Sequence, residues 1–423
     1  MFDIKLIREN PDLVKNNIKK KFQEDKLKLV DEVLENDIKW RSIKKDIDDL
    51  RHERNKISSQ INEYKKENKD VAELLNQAKQ IPTKISNLEK KQEELVELNK
   101  SLLKQIPNIM HETVPSGKDD SENPVIKECK NITKKNFEVK NHVEILEEKD
   151  LVDFEKSANI SGNGFYILKG DLALLNQALI RFAIEFMQSK GYTYIEPPLM
   201  IKKEILEGAM DTKGFQETIY SLEGRDLHLI GTSEHVLLGL HANQAIPEQE
   251  LPKKYFSYTM CFRQEIGSHG INEKGLWRTH QFNKVEQVVF CAPEDSYKIY
   301  DEIQANTEEL FNLLGLPFRV IECCSGDLAI WKAKSADIEV YRPTTNDFGE
   351  VTSVTNATDF QARSLNSKII RKDGTREYLH TLNNTAIATS RALVAIIENY
   401  QNEDGSITIP DVLVPFMFGK KKI

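Results

Sequence analysis

For 80 consecutive residues, from Lys26 to Gln105, the chain carries no glycine and a single proline, Pro82. A stretch without those punctuating residues has little to stop a helix once one has started. Ile43, Ile47, Leu50, Arg54, Ile57, Ile61 and Tyr64 recur at alternating spacings of four and three, out of character only at Arg54. Val71, Leu74, Ala78, Ile81, Ile85, Leu88, Gln92, Leu95, Asn99, Leu102 and Ile106 repeat the spacing. Each series is a heptad seam, and the polar run Lys65 to Asp70 between them reads as the tip of a hairpin. The spacing predicts two antiparallel helices of about 35 residues, roughly 50 Å long at ~1.5 Å per residue, wound as a left-handed coil. Asp70, with Glu73 three residues on, is placed to cap the second helix. Pro82 predicts a kink or a locally broken turn, and Pro107 ends the arm.

Charge divides the chain in the same place. The first 110 residues hold about 24 Lys and Arg against about 21 Asp and Glu, whereas all 423 residues together carry a net charge of -8. A protein that grips nucleic acid by global charge is thereby excluded, and any such contact must be local. A basic hairpin beside an acidic body fits two readings: a coil that lysines merely keep solvated, or a limb that reaches along a phosphate backbone. The length exceeds one ordinary core, so two domains are expected. The cysteines Cys129, Cys261, Cys291, Cys323 and Cys324 include no Cys-x-x-Cys pair and no histidine at zinc-finger spacing. A reduced, cytoplasmic protein without structural zinc follows as an expectation. The start, MFDIKLIREN, lacks a signal-peptide core, and no apolar run is long enough to span a membrane.

Beyond a polar linker from Thr113 to Lys140, the most informative stretch runs from Tyr255 to Phe290. Two strand-like runs flank a loop with Gly267, Gly270 and Gly275, which reads as a hairpin with a long connection. Alternation of Phe256, Tyr258, Met260 and Phe262 predicts that these four share the buried face. On the second run a period of two places Arg278, Phe282 and Glu286 together, opposite Val285 and Val289. That trio is either the floor for a charged, ring-bearing ligand or a solvated sheet edge. Leu172 to Phe186 reads as an amphipathic helix stopped by Gly191. Pro197 and Pro198 place the segment after it at an edge or interface. Thr232, Ser233 and Glu234 interrupt an apolar run, either as a helix cap or as contacts for a ligand's amino group. Glu350 and Ser353 either offer hard oxygens to Mg²⁺ or mark a solvated strand end. Asn383, Asn384 and Thr385 lead into an apolar helix, where Arg391 needs an anion or an acidic partner such as Glu398.

Taken in order, FRQE (Phe262 to Glu265), GLWRTHQFNKVE (Gly275 to Glu286), TSE (Thr232 to Glu234), EVTS (Glu350 to Ser353), DFQAR (Asp359 to Arg363) and the segment His380 to Ser406 closely resemble seryl-tRNA synthetases. The resemblance covers nearly the whole chain. There are departures: Gly164 precedes Phe165 where many members carry arginine, TSE varies on a more common Thr-Ala-Glu, Asn384 replaces a frequent glycine, and HVEILEE (His142 to Glu148) lacks a usual glycine.

The resemblance implies an α+β fold: a class II synthetase antiparallel sheet with flanking helices, preceded by the coiled-coil arm. Its domains would be 1–110, a linker 111–140 and a catalytic domain 141–423. It implies ATP-dependent activation of L-serine and transfer to tRNA(Ser), with tRNA(Sec) left open, by a cytoplasmic homodimer. Arg263 and Arg391 would be catalytic. Arg263, Gln264, Glu265, Arg278, Phe282, Glu350, Val351, Thr352, Ser353 and Arg391 would hold ATP, with Glu350 and Ser353 on Mg²⁺ and no zinc. Thr232, Ser233, Glu234, Arg263, Glu286, Asn383 and Thr385 would hold serine. The loop Ile266 to Lys274 would be the part that moves when ATP or tRNA arrives. Two other readings keep the fold: an enzyme that loads serine on a carrier protein, and an inactive tRNA-binding paralogue.

Overall fold

The computed structural model describes residues 1–129, 132–210, 218–266 and 274–423. The loop expected to move falls almost wholly outside them. Contacts divide the chain into two units, Met1–Pro107 and Asn108–Ile423.

The first unit opens with two short helices, α1 (Ile4–Glu9) and α2 (Pro11–Lys20), followed by α3 (Leu27–Lys66) and α4 (Ala72–Gln105). The heptad seam is the core of the α3–α4 pair: Ile47, Ile57 and Ile61 pack with Ile81 and Ile85, flanked by Ile43, Leu50, Leu74, Ala78 and Leu88. Two local details differ from expectation: the turn at Pro82 is not broken, and the second helix has another cap. Helix α4 runs unbroken through Pro82, because one missing amide removes one hydrogen bond while Ile81 and Ile85 stay buried around it. Asp70 accepts from the Ala72 amide at 2.9 Å, but the N-cap is Val71, so the capping box with Glu73 does not form.

The second unit is built on an eight-stranded sheet. Its strands are β1 (Val125–Cys129), β2 (Thr193–Tyr194), β6 (Lys253–Phe262), β7 (Gln281–Cys291), β8 (Phe318–Glu322), β9 (Lys334–Arg342), β10 (Asp347–Asn356) and β13 (His380–Ala388), in the spatial order β1-β8-β9-β10-β13-β7-β6-β2. Every pairing is antiparallel except β2 with β6. Strands β3 (Met200–Ile201) and β4 (His228–Leu229) form a small ladder, and β5 (Ala245–Pro247), β11 (Lys368–Ile370) and β12 (Arg376–Tyr378) a three-stranded sheet. Part of the expected linker is thus edge strand β1.

Helices α5 (His142–Glu148), α6 (Phe154–Ser161) and α7 (Gly170–Ser189) precede the main sheet's second strand; α8 (Lys203–Ala209), α9 (Ser233–Gly239), α10 (Ser296–Leu313), α11 (Phe360–Leu365) and α12 (Thr389–Tyr400) follow in order. Val285, Val289, Ile338, Val354 and Ile387 share a core with Leu175 and Leu179 of α7, Ile303 and Leu310 of α10 and Leu393 and Ile396 of α12. Further along β7, Val288 and Phe290 pack in a second core with Ala209 of α8 and Leu237 and Leu238 of α9. Polar residues occupy the remainder of that second face.

The buried face of β6 is the reverse of the expectation. Ser257, Thr259 and Cys261 are buried with Phe256, whereas Tyr258 and Phe262 are only partly covered and Met260 is 39% exposed. The odd-numbered residues lie opposite Glu286, Lys284 and Phe282 of β7, on the side roofed by α9. Along its outer edge β6 is paired with the two-residue strand β2 only at Tyr255 and Phe256.

Candidate active site

A cavity of about 490 Å³ opens over the polar face of β7, β10 and β13. Its volume is in the range of small-molecule sites. Parity explains most of its floor. On β7, Phe282, Lys284 and Glu286 alternate onto one face. On β13, Asn383 and Thr385 join them, with Thr385 directly opposite Glu286.

Glu350 and Ser353 need more than parity, since residues three apart on a regular strand face opposite ways. A register shift between Glu350 and Thr352 makes Val351 an extra residue, so that Glu350 faces Glu339 while Ser353 faces Asp337. Residues 337 and 339 lie on one face of β9, and the bulge therefore returns Glu350 and Ser353 to a common side.

One end of the cavity is rich in half-exposed charge. Glu265 follows β6 in the left-handed region, φ 52°, and accepts from Arg278 at 2.8 Å. Arg263 lies 5.2 Å from the Phe282 ring centroid and donates from Nε to the Gly231 carbonyl at 3.1 Å. Arg391, in the first turn of α12, donates to the Glu350 carbonyl at 2.7 Å and to its carboxylate at 3.2 Å. The partner of Arg391 is therefore Glu350. Glu398 instead bonds His142 at 3.0 Å and Thr344 at 2.9 Å. Burial pushes the Glu350 carboxyl up, but the charge and hydrogen bond of Arg391, with Lys332 behind them, bring it net below the usual carboxylate range. Burial and Glu350 push neighbouring Asp337 above that range. Glu350 is thus the more acidic of the two carboxyls.

The other end is drier. Glu286 is fully buried; it accepts from Asn383 at 3.1 Å and from Thr385 at 3.2 Å, and pairs with Lys284 at 2.5 Å. Lys284 also donates to Thr232 at 3.3 Å. Glu234 accepts from Gln361 at 2.9 Å, and burial together with the Glu286 charge raises its pKa to about 6. Burial, with Arg263 and Lys284 nearby, lowers His235 to about 3, so its ring is neutral at pH 7.

The cavity lining brings together Thr232, Glu234, Arg263, Glu265, Arg278, Phe282, Glu350, Val351, Thr352, Ser353, Asn383, Thr385 and Arg391. Three expected site residues stand behind it. Gln264 is turned to the Ile219 carbonyl at 2.7 Å. Ser233 is fully buried in the first turn of α9, where Thr232 caps the Glu234 amide at 3.3 Å. Glu286 lies beneath Asn383 and Thr385. Arg278 precedes β7 rather than continuing its alternation.

Sequence reasoning overlooked Lys284, Lys332, Trp277 and Gln361. Lys284 was within reach, being two residues from both Phe282 and Glu286. Lys332, which donates to Ser353 at 3.3 Å and Ser335 at 3.0 Å, comes from a connection with no periodic signal. For Mg²⁺ the donor chemistry fits: one carboxylate and one hydroxyl supply two hard oxygens, leaving other positions to phosphates and water. Among the described residues no cluster of three or more His, Cys, Asp or Glu forms a self-contained metal site.

An antiparallel sheet with three arginines and an aromatic ring around one cleft is the core of a class II aminoacyl-tRNA synthetase, and residues 218–400 match the tRNA synthetase class II core domain (G, H, P, S and T). Residues 1–110 match the seryl-tRNA synthetase N-terminal domain. The serine–tRNA ligase of Methanoregula boonei is 45% identical, covering 99% of each chain, and that of Pyrococcus abyssi 44% identical, covering 98% of this chain and 95% of its own. The crystal structure of Pyrococcus horikoshii seryl-tRNA synthetase complexed with ATP superposes with a TM-score of 0.95 at 42% identity, covering 100% of this chain and 99% of that one. The cytoplasmic enzyme of Naegleria fowleri in complex with AMP gives 0.89 at 33% identity, over 100% and 98%. The chain belongs to the seryl-tRNA synthetase family.

Proposed function

We propose that the cavity binds ATP at its arginine-rich end and L-serine at its buried end, forms seryl-adenylate, and passes the seryl group to tRNA(Ser). The observation that carries this reading is the environment of Glu286. A carboxylate offers about four acceptor sites, and Asn383, Thr385 and Lys284 use three. The remaining one suits a serine hydroxyl that reaches between Asn383 and Thr385, the lining residues in front of Glu286. Glu234, with Thr232 beside it, is the acceptor for the serine ammonium. Alanine would leave the Glu286 site unpaired, and that loss is the basis of selection.

In the first step a serine carboxylate oxygen attacks the α-phosphorus, the α–β bridging P–O bond breaks, and pyrophosphate leaves with that electron pair. Arg263 bridges the attacking carboxylate and the α-phosphate, a task suited to its planar fork. Phe282 stacks on the adenine, Glu265 accepts from its amino group, and Gln264 braces this strand end through Ile219. Arg278 and Arg391 neutralise the distal phosphates, exchanging Glu265 and Glu350 for them. Glu350 and Ser353 would hold Mg²⁺, which supplies charge neutralisation between the phosphates; Val351 and Thr352 shape the bulge that presents them. Ser233 supports Thr232 and Glu234 from the helix beneath. In the second step the tRNA terminal hydroxyl attacks the acyl carbon, the acyl carbon–oxygen bond to the phosphate breaks, and AMP leaves with that electron pair while the hydroxyl proton passes to its phosphate or to solvent. Catalysis here is positioning and electrostatics more than proton transfer.

The α3–α4 hairpin is the limb for the tRNA backbone, a reading supported by its surplus of basic residues; tRNA(Sec) is compatible with the same surface. A homodimer is supported by the exposed apolar residues beside edge strand β2: Tyr194 at 39%, Leu199 at 37% and Met200 at 45%. The cytoplasm is the compartment assigned along with this role. Among the described residues no helix is long and apolar enough to cross a membrane. Deleting Lys39 to Gln92 tests the division of labour: serine-dependent ATP–pyrophosphate exchange should persist and tRNA charging should be lost. Intact charging by the truncated chain would remove the arm from the reading.

A further inference from the structure

A buried pair outside the cavity reaches the same loop stem as Arg391. Glu398 lies seven residues after Arg391 on α12, so both project from similar sides of the helix. Glu398 is fully buried, and His142, at the start of α5, is 6% exposed. His142 Nδ1 is 3.0 Å from the Glu398 carboxylate, and His142 Nε2 is 3.1 Å from the Leu276 amide nitrogen. An amide can only donate, so Nε2 accepts and the ring is the neutral Nδ1–H tautomer.

One residue further on, the Trp277 carbonyl accepts from Arg391 Nε at 3.3 Å. Helix α12 therefore grips the Leu276–Trp277 step twice, directly through Arg391 and by way of His142 through Glu398. Gly275, at φ 152°, lets the ring come this close, because a Cβ there would stand 2.7 Å from His142 Nε2. Arg342 completes the arrangement, 3.5 Å from Glu398 and 4.4 Å from the Trp277 ring centroid. The next residue in the chain is Arg278.

We propose that His142 and Glu398 are positioning residues for ATP: they fix the Leu276–Trp277 backbone so that Arg278 and Arg391 present their guanidinium groups together to the distal phosphates. Their dispensable alternative would be a fold-stabilising buried pair with no effect on the site. The proposal rests on the reading that Arg278 contacts ATP, and the experiment separates the two.

Serine-dependent ATP–pyrophosphate exchange is measured on full-length wild type, His142→Ala, Glu398→Gln and Arg278→Ala, with the active fraction titrated in each. His142→Ala should raise KM for ATP about tenfold, the upper range for one lost hydrogen bond, with KM for serine within twofold of wild type. Glu398→Gln keeps an acceptor for Nδ1–H but loses the charge facing Arg342, so a smaller rise in the same constant is expected. It also supplies the answer if His142→Ala does not fold. Should Arg278→Ala raise KM for ATP while His142→Ala and Glu398→Gln lower only the active fraction, the pair is structural and the proposal is overturned. An unchanged KM for ATP in Arg278→Ala would overturn the underlying reading instead.

Discussion

The two ends of the cavity solve the problem of holding charge in opposite ways. At the nucleotide end Arg278 pairs with Glu265 and Arg391 with Glu350, and the arginine side chains keep 32% and 22% of their surface in solvent. Pairs of this kind contribute little to stability and can be exchanged for phosphate at small cost. At the serine end Lys284 and Glu286 are 9% and 0% exposed. Breaking that pair leaves a desolvated charge behind, so it is costly to disturb and well suited to discrimination. Exchangeable charge thus belongs where a highly charged substrate must enter and leave, and fixed buried charge where one hydroxyl must be read.

The largest expected effect attacks the buried end. Lys284→Met should destabilise the protein by about 3 kcal/mol or more by orphaning Glu286, read from denaturant unfolding. A change below about 1 kcal/mol would mean that Glu286 is better solvated than the contrast requires. Glu286→Ala should then lower serine activation by at least ~100-fold, about 2.7 kcal/mol for a lost charge-assisted bond; near wild-type pyrophosphate exchange would remove it from the serine site. Arg278→Ala sharpens the other side. It should alter stability by no more than about 1 kcal/mol yet raise KM for ATP about tenfold or more. Comparable losses in stability for Arg278→Ala and Lys284→Met would erase the difference between the ends.

The smallest effect is a pH dependence. With Glu234 raised to about 6, its carboxylate is available to the serine ammonium above that pH. KM for serine should rise about tenfold per pH unit below 6, and Glu234→Gln should flatten that limb. The sign for stability is opposite. The fold favours the neutral form, so this group's contribution to the ligand-free protein falls as pH rises from 4.5 towards about 6, and bound serine should oppose the loss. An identical acid limb in Glu234→Gln would assign it to another group.

Legibility in the sequence follows the same physics. The arm could be read because a heptad seam survives solvent exposure of everything around it, as Ile47, Ile57, Ile81 and Ile85 demonstrate. The Phe282 and Glu286 side of β7 could be read because the strand is regular. Parity failed where the sheet is not regular or not evenly covered. The bulge in β10 brings Glu350 and Ser353 to one side in a way that counting by two cannot reveal. The buried side of β6 was misread because hydrophobicity favoured Phe256, Tyr258, Met260 and Phe262, whereas the roof provided by α9 buries Ser257, Thr259 and Cys261. His142 and Glu398, 256 residues apart, meet only through tertiary packing.

The central claim is that the buried end reads a hydroxyl through Glu286, and ATP–pyrophosphate exchange with serine, alanine and threonine side by side tests it most directly. Serine should support exchange, with alanine at least ~100-fold poorer in kcat/KM because Glu286 is left without its fourth donor, and threonine excluded by its added methyl group. Exchange with alanine within a few-fold of that with serine would contradict the account.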